Sequence, residues 1–206
     1  KRENFDAKEK IHIIKGDIRN KDDIEKVFQI SEKYKKTIQA VIHFAGLKSV
    51  FDSIQKPLEY WENNVTGTIN LLGIMEKYNC KNIVFSSSAT VYDKTINNTN
   101  LDENSKLHPY NPYGQTKLAI EKILSDIFKS SSKWRIANLR YFNPIGAHPS
   151  SLIGENPLGT PNNLFPLICN AALYPNQRLN IFGSDWNTID GTCIRDFVHV
   201  SDVAEG

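Results

Sequence analysis

The chain has 206 residues, 40% of them hydrophobic, enough to bury a core in one or two domains, and its formal net charge is only +2. That balance argues against a disordered or fibrous protein. It also gives no footing to nucleic-acid binding, because the lysine-rich start (Lys8, Lys10, Lys15, Lys21, Lys26, Lys33, Lys35, Lys36) is interleaved with Glu9, Asp17, Asp22, Asp23, Glu25 and Glu32.

Short apolar runs alternate with helical stretches along the chain. Ile11 to Ile14 reads as a strand, a helix follows near 22–35, and Ala40 to Phe44 reads as the next strand. A long helix is predicted from about Leu58 to Lys77, with Leu58, Trp61, Val65, Ile69, Leu72 and Met75 along one stripe. Ile83 to Phe85 is a strand, 95–100 a polar loop, and a helix over about 112–129 carries Ile120, Ile123, Leu124, Ile127 and Phe128 at helical spacing. Ile136 to Phe142 is again a strand. This alternation is the pattern of βαβ units: an α/β fold with a doubly wound parallel sheet. In such a sheet ligands bind beyond the carboxyl ends of strands, where Gly16-Asp17, Gly46, Ser86 to Ser88 and Asn143-Pro144 fall.

From Pro144 the texture changes, with Gly146, Pro149, Gly154, Pro157, Gly159 and Pro161 crowded together. The expected division is a nucleotide-binding domain over 1–145 and part of a smaller domain over 146–206, holding a helix at about 164–174, a short run 179–182 and an extended piece 194–200. Ser201-Asp202-Val203-Ala204 reads as a capped helix beginning. No glycine-rich phosphate turn occurs among the 11 glycines, so the first strand and its turn are expected to precede Lys1, and a removed targeting signal stays open. No apolar run approaches the roughly 18 residues of a membrane span, so no membrane contact is expected. Three cysteines, Cys80, Cys169 and Cys193, show no metal-ligand spacing and suit a reducing compartment such as the cytoplasm; no metal is expected. The sequons at 64–66 and 97–99 are short enough to be accidental.

The chemistry concentrates in Ser88, Tyr113 and Lys117. A tyrosine titrates near ~10, so a tyrosine base near neutrality needs its phenolate stabilised by about 4 to 5 kcal/mol, and a lysine one helical turn away supplies part of that. The Tyr-x-x-x-Lys spacing alone arises by chance about 0.7 times in a chain of this composition. Its setting gives it meaning: Ser88 ends a strand, and Asn111-Pro112 is a helix entry that puts Tyr113 and Lys117 on one face.

These residues, in GDIR (16–19), VIHFAGLKSV (41–50), ENNVTGT (62–68), FSSSATVY (85–92), NPYGQTK (111–117), LRYFNPIGAHPS (139–150), NNLFP (162–166) and DGTCIRDFVHV (190–200), resemble the extended short-chain dehydrogenase/reductase superfamily and, within it, the UDP-glucose 4-epimerases. The resemblance implies a Rossmann-like fold lacking its first strand, tightly held NAD, and reversible oxidation at C4 of a UDP-hexose. Tyr113 would take the 4-hydroxyl proton as C4 gives up hydride, Ser88 would hydrogen-bond the 4-oxygen, and Lys117 would bind the nicotinamide ribose and hold the phenolate down. Asp17 would meet the adenine edge, or merely initiate a turn, and Ile18 would pack on the adenine face. Phe44, Ala45, Gly46 and Lys48 would form the turn against the cofactor, or a plain turn with a solvated lysine. Asn63 could stitch the cofactor loop through its amide, although Asn63 and Asn64 could equally be helix-surface residues; Ser86 and Tyr141 would touch the cofactor, or serve core and turn. For the sugar nucleotide, Phe142 would be pocket wall, Asn143, Asn163 and Leu164 would bind the diphosphate and uridine side, and Phe182 would line the uracil pocket. Arg195 would meet the pyrophosphate, or pair with Asp196, and His199 reads as structural. A homodimer through the helices near 58–77 and 112–129 is a further expectation.

Two rivals stand beside this. A dehydratase or decarboxylase of the same superfamily needs more: the first an extra acid and base beside the serine, where Ala89 and Thr90 stand, the second a site for a sugar carboxylate. A non-catalytic cofactor-binding protein would not need all three of Ser88, Tyr113 and Lys117. Without the glycine turn, this 206-residue piece is expected to bind NAD weakly and to have little activity.

Overall fold

The computed structural model describes residues 11–93, 100–157, 159, 161, 163–174 and 176–206. The sequon at 97–99, most of the polar loop around it, and Lys8, Glu9 and Lys10 lie outside the described residues. The chain forms two compact units, 1–140 and 141–206.

In the first unit α1 (Lys21–Lys33) is capped by Asn20, whose side chain accepts from the Asp22 N–H, and carries Asp22 and Asp23 in its first turn and Lys33 in its last, as the helix dipole favours. β1 (Val41–His43) pairs in parallel with β2 (Asn82–Ser88), Val41 opposite Ile83 and His43 opposite Phe85. β3 (Arg135–Tyr141) lies on the other side of β2. A hydrogen bond from the Arg135 N–H to the Lys81 carbonyl, 2.8 Å, joins the entries to β2 and β3. β2 is thus the centre of a three-stranded sheet, and its carboxyl end is the point from which the candidate site is built.

Between the strands run α2 (Val50–Gln55), α3 (Pro57–Tyr60), a π-helical turn over Trp61–Thr66, and α4 (Gly67–Lys77). The single stripe expected over 58–77 is therefore only half right. Leu72 and Met75 are buried, but Leu58, Trp61 and Ile69 face outward, and Tyr60, Asn64 and Thr68 take the inward positions. The inward polar residues carry hydrogen bonds, which hydropathy spacing does not read, and the π turn changes the phase between the two halves. α5 (Pro112–Ser130) has proline at its first position and Asn111 as its cap, Oδ1 accepting the Gly114 N–H at 2.8 Å. Its Ile120 and Leu124 enter the core with Leu72, Met75, Ile83 and Phe85; Phe128 remains exposed.

The strand expected at 11–14 is not formed. Residues 11–14 are irregular and Ile11 and Ile13 are exposed, since a strand exists only by pairing and no described strand lies beyond β1 to pair with them.

The second unit contains β4 (Asn143–Ile145), α6 (Leu164–Leu173), β5 (Phe197–His199) and α7 (Val200–Glu205), with β4 and β5 in parallel register. The run 179–182 is irregular and exposed. His199, not Ser201, caps α7, its Nδ1 accepting the Ser201 N–H at 3.2 Å, which gives the histidine a structural task.

Candidate functional site

The helix α5 begins against the turn that follows β2. Its approach requires Gly114, since a Cβ there would stand 2.8 Å from the Thr90 carbonyl oxygen and from Pro109 Cβ. This contact delivers Tyr113, buried, to Ser88, also buried, at the end of β2. Ser88 Oγ receives the Thr90 N–H at 3.2 Å and the Thr90 hydroxyl at 3.0 Å. With both acceptor positions of the oxygen taken, the Ser88 proton is left free to donate to an oxygen placed beside it. Burial pushes the Tyr113 hydroxyl above its ordinary titration range, and the nearby Ser88 hydroxyl pulls it partly back.

One turn on, Lys117 is 6% exposed. Its Nζ donates to the Ser86 carbonyl at 2.7 Å and lies 4.9 Å from the Phe85 ring centroid and 5.7 Å from that of Tyr113. Burial lowers its pKa to about 8, so it remains mostly an ammonium at neutrality. A further residue, not singled out in the sequence, bears on it. His43 on β1 is held neutral, with its pKa lowered to about 4, first by burial and then by the Lys117 charge. Its Nε2 is 2.8 Å from Thr68 Oγ1; because that hydroxyl already donates to the Asn64 carbonyl at 2.5 Å, the imidazole donates and carries its proton on Nε2.

The loop after β1 is stitched by Asn64, which is only 1% exposed. Its Oδ1 accepts the Leu47 N–H at 2.8 Å, and its Nδ2 donates to the Leu47 carbonyl at 3.0 Å and to Thr116 Oγ1 at 3.2 Å. Asn63, half-buried beside it, donates to Asn64 Oδ1 at 3.0 Å. The amide that ties this loop is therefore Asn64, neither residue is a plain helix-surface asparagine, and the sequon at 64–66 is closed by burial. Phe44, Ala45, Gly46 and Lys48 all present exposed surface along this loop. A Cβ on Gly46 would lie 3.3 Å from Asn64 Oδ1 and 3.7 Å from Lys117 Nζ, so this glycine leaves open a strip of backbone beside a buried ammonium. Ser86, half-buried, contributes its carbonyl to Lys117.

Asp17 presents the turn reading: its carbonyl accepts the Asn20 N–H at 2.9 Å and its carboxylate pairs with Arg19 at 2.6 Å. The Arg19 hydrogen bonds hold that carboxyl down to about 2. Ile18, half-buried, faces Gly67, where a Cβ would come within 2.7 Å of its Cγ2.

In the second unit, Tyr141 is half-buried, and burial raises its hydroxyl's pKa. Asn143 donates through Nδ2 to the Asp196 carbonyl at 2.7 Å, and Asn163, at the start of α6 but making no side-chain cap bond, donates through Nδ2 to Glu155 Oε1 at 3.0 Å. Phe142 and Leu164 are exposed, and Phe182 is 94% exposed. Arg195 is exposed and donates through Nε to Cys193 Sγ at 3.4 Å; no ion pair joins it to Asp196 among the described residues. No cluster of three or more metal-ligating side chains occurs among the described residues, and none of their helices is long and apolar enough to cross a membrane.

The family model described as NAD dependent epimerase/dehydratase family matches residues 1–206. A UDP-glucose 4-epimerase of Pisum sativum is 52% identical over 191 residues, 93% of this chain and 53% of the relative. A UDP-glucose 4-epimerase 2 of Arabidopsis thaliana is 50% identical over 192 residues, 92% of this chain and 53% of its own length. Among solved structures, a UDP-glucose 4-epimerase from Bifidobacterium longum in complex with NAD+ and UDP is 44% identical with a TM-score of 0.83, covering 92% of this chain and 55% of that one. The chain thus spans about half the length of the curated relatives it matches.

Proposed function

The chain belongs to the NAD dependent epimerase/dehydratase family and has its Rossmann-like α/β fold, and on that premise we propose that the full-length protein is a UDP-glucose 4-epimerase, interconverting UDP-galactose and UDP-glucose through a 4-keto sugar with bound NAD. The observation that carries the reading is the joining of Ser88, Tyr113 and Lys117 at the end of the central strand, each buried. Bound NAD would supply a ring that takes and returns a hydride. The chain's residues fit such a group: an open glycine at 46, an ammonium at Lys117 whose Nζ is 3.7 Å from a Cβ placed there, and the Asn64-braced loop between them. Asp17, Ile18, Phe44, Ala45, Gly46, Lys48, Asn63, Ser86, Tyr113, Lys117 and Tyr141 are the residues proposed to hold it.

In this reading Tyr113 is the base that takes the 4-hydroxyl proton and gives it back. Burial opposes the phenolate, so the ammonium of Lys117, 5.7 Å from the ring, must offset it. Ser88 holds the substrate oxygen in line, and Phe142, Asn143, Asn163, Leu164, Phe182 and Arg195 bind the UDP-hexose. The relative from Bifidobacterium longum is described with UDP, which supports a uridine nucleotide as the handle. A homodimer through the outer faces of α4 and α5 is the proposed assembly, supported by the exposed Ile69 and Phe128 on those helices. The cytoplasm is the proposed compartment, supported by three unbridged cysteines.

The test is incubation of the full-length protein with UDP-galactose without added reductant. UDP-glucose should form while free NADH does not build up. Net NADH release, or loss of water from the sugar, would point to a dehydrogenase or a dehydratase instead.

A further inference from the structure

One buried ion pair takes no part in the chemistry above. Glu121 lies two turns beyond Tyr113 and one beyond Lys117 on the same face of α5, and its side chain is 7% exposed. Arg140 on β3 grips it with both arms of the guanidinium, Nη2 to Oε2 at 2.8 Å and Nε to Oε1 at 3.0 Å. The pair is not closed on itself. Glu121 Oε1 accepts the Ser87 hydroxyl at 2.5 Å, and Ser87 is the neighbour of Ser88 on β2. Arg140 Nη1 donates to the Tyr92 hydroxyl at 3.2 Å and to the Glu103 carbonyl at 3.1 Å, on the far side of the turn that carries Ser88 and Thr90.

A pair buried this deeply is a weak source of stability, because desolvating two charges costs about as much as their attraction returns, and apolar residues of like volume often do as well. What it supplies is direction. α5 is tied to β2 by two polar bonds a helical turn apart, Lys117 to the Ser86 carbonyl and Glu121 to Ser87, so the helix can neither slide nor roll along the strand. The same guanidinium holds Tyr92, just past the Ser88 turn, in place. An apolar stripe alone, Ile120 and Leu124 on the core, would leave that phase to side-chain packing.

We propose that Glu121 and Arg140, acting through Ser87, are positioning residues that set the spacing between the Ser88 and Tyr113 hydroxyls. This rests on the epimerase reading for its kinetic arm only. Three variants of the full-length protein separate the roles: Ser87→Ala, Glu121→Gln, and the double apolar replacement Glu121→Leu with Arg140→Met. In the first two, kcat should fall, by up to about 100-fold where the displacement approaches 1 Å, with KM for UDP-galactose little changed. The acid limb of kcat/KM should move to higher pH, as Tyr113 moves away from the Ser88 hydroxyl that lowers its proton affinity. The double variant should regain the wild-type urea midpoint without regaining kcat. A second readout needs neither substrate nor cofactor: the Tyr113 Cζ resonance in tyrosine-labelled protein, assigned by its absence in Tyr113→Phe, should move in Ser87→Ala and in the double variant. If kcat merely follows the folded fraction, returning with stability in the double variant, or if the Tyr113 resonance stays at its wild-type position in Ser87→Ala, the proposal is wrong. Ser87→Ala removes one hydroxyl and leaves the ion pair intact, so the outcome does not depend on Glu121→Gln folding. A wild-type protein inactive on UDP-hexoses would overturn the functional reading and leave the resonance test standing.

Discussion

The two units use the same kinds of side chain in opposite ways. In 1–140, Phe85 is 1% exposed and the polar Asn64, Thr68, Ser87 and Thr116 are sealed beside it with hydrogen bonds to one another's neighbours. In 141–206 no described residue is buried, and Phe182, Ile181 and Leu173 stand in solvent. The difference decides what each region can do chemically. Where water is excluded, a proton's affinity depends on its neighbours, and buried His43, Tyr113 and Lys117, whose affinities are moved chiefly by burial, belong to the first unit, while in the second the half-buried Tyr141 is moved by burial. An exposed side chain can touch a ligand but cannot have its pKa set this way.

If the comparison holds, the largest effect comes from the buried hydroxyl. Tyr113→Phe keeps the ring and removes the base, so turnover of UDP-galactose by the full-length protein should drop by about 10²- to 10⁴-fold with little change in nucleotide-sugar affinity. An equally active phenylalanine variant would remove Tyr113 from the chemistry. Next is the wall behind it: Phe85→Ala should cost about 3 to 5 kcal/mol in urea unfolding, by opening a cavity under the Lys117 ammonium.

His43 tests the same region through pH. Its folded pKa of about 4 lies below the ordinary imidazole value of 6.5, so between those values the unfolded chain binds a proton that the folded chain refuses. Stability is full above 6.5 and is lost as pH falls toward 4. From about pH 7 to pH 5 this one group should remove about 2 kcal/mol, and a His43→Gln variant should lack that loss when urea midpoints are compared at the two pH values. Equal losses in both proteins would show that His43 is charged or exposed in the folded state.

The sequence made the framework legible wherever one rule acted alone. Asn111-Pro112 marked the start of α5, and the apolar run Ile83 to Phe85 marked the central strand. It was opaque where two rules competed. Asn64 and Thr68 point inward although apolar neighbours offered a better stripe, because a π turn and hydrogen bonds to Leu47 and Thr116 outweigh hydropathy. Thr90 looked inert beside Ser88, yet its two donors fix which way the serine proton points. Glu121 and Arg140, 19 residues apart in sequence, have no spacing that would announce a pair. Partners brought together by the fold leave no local pattern to read.

The smallest expected effect is also the sharpest check on the contrast. Phe182 is as large as Phe85, and sequence gives no reason to rank one above the other. At 94% exposure its ring removes almost no apolar surface from water on folding, so Phe182→Ala should leave the urea unfolding free energy within about 0.5 kcal/mol of wild type. If Phe182 lines the uracil pocket, the same change should weaken UDP binding to the full-length protein, because a base stacked on the ring buries apolar surface that alanine does not offer. A stability loss of the size expected for Phe85→Ala would mean that Phe182 is covered in the full-length protein, and the contrast between a buried region that tunes protons and an exposed one that touches ligand would fail at that residue.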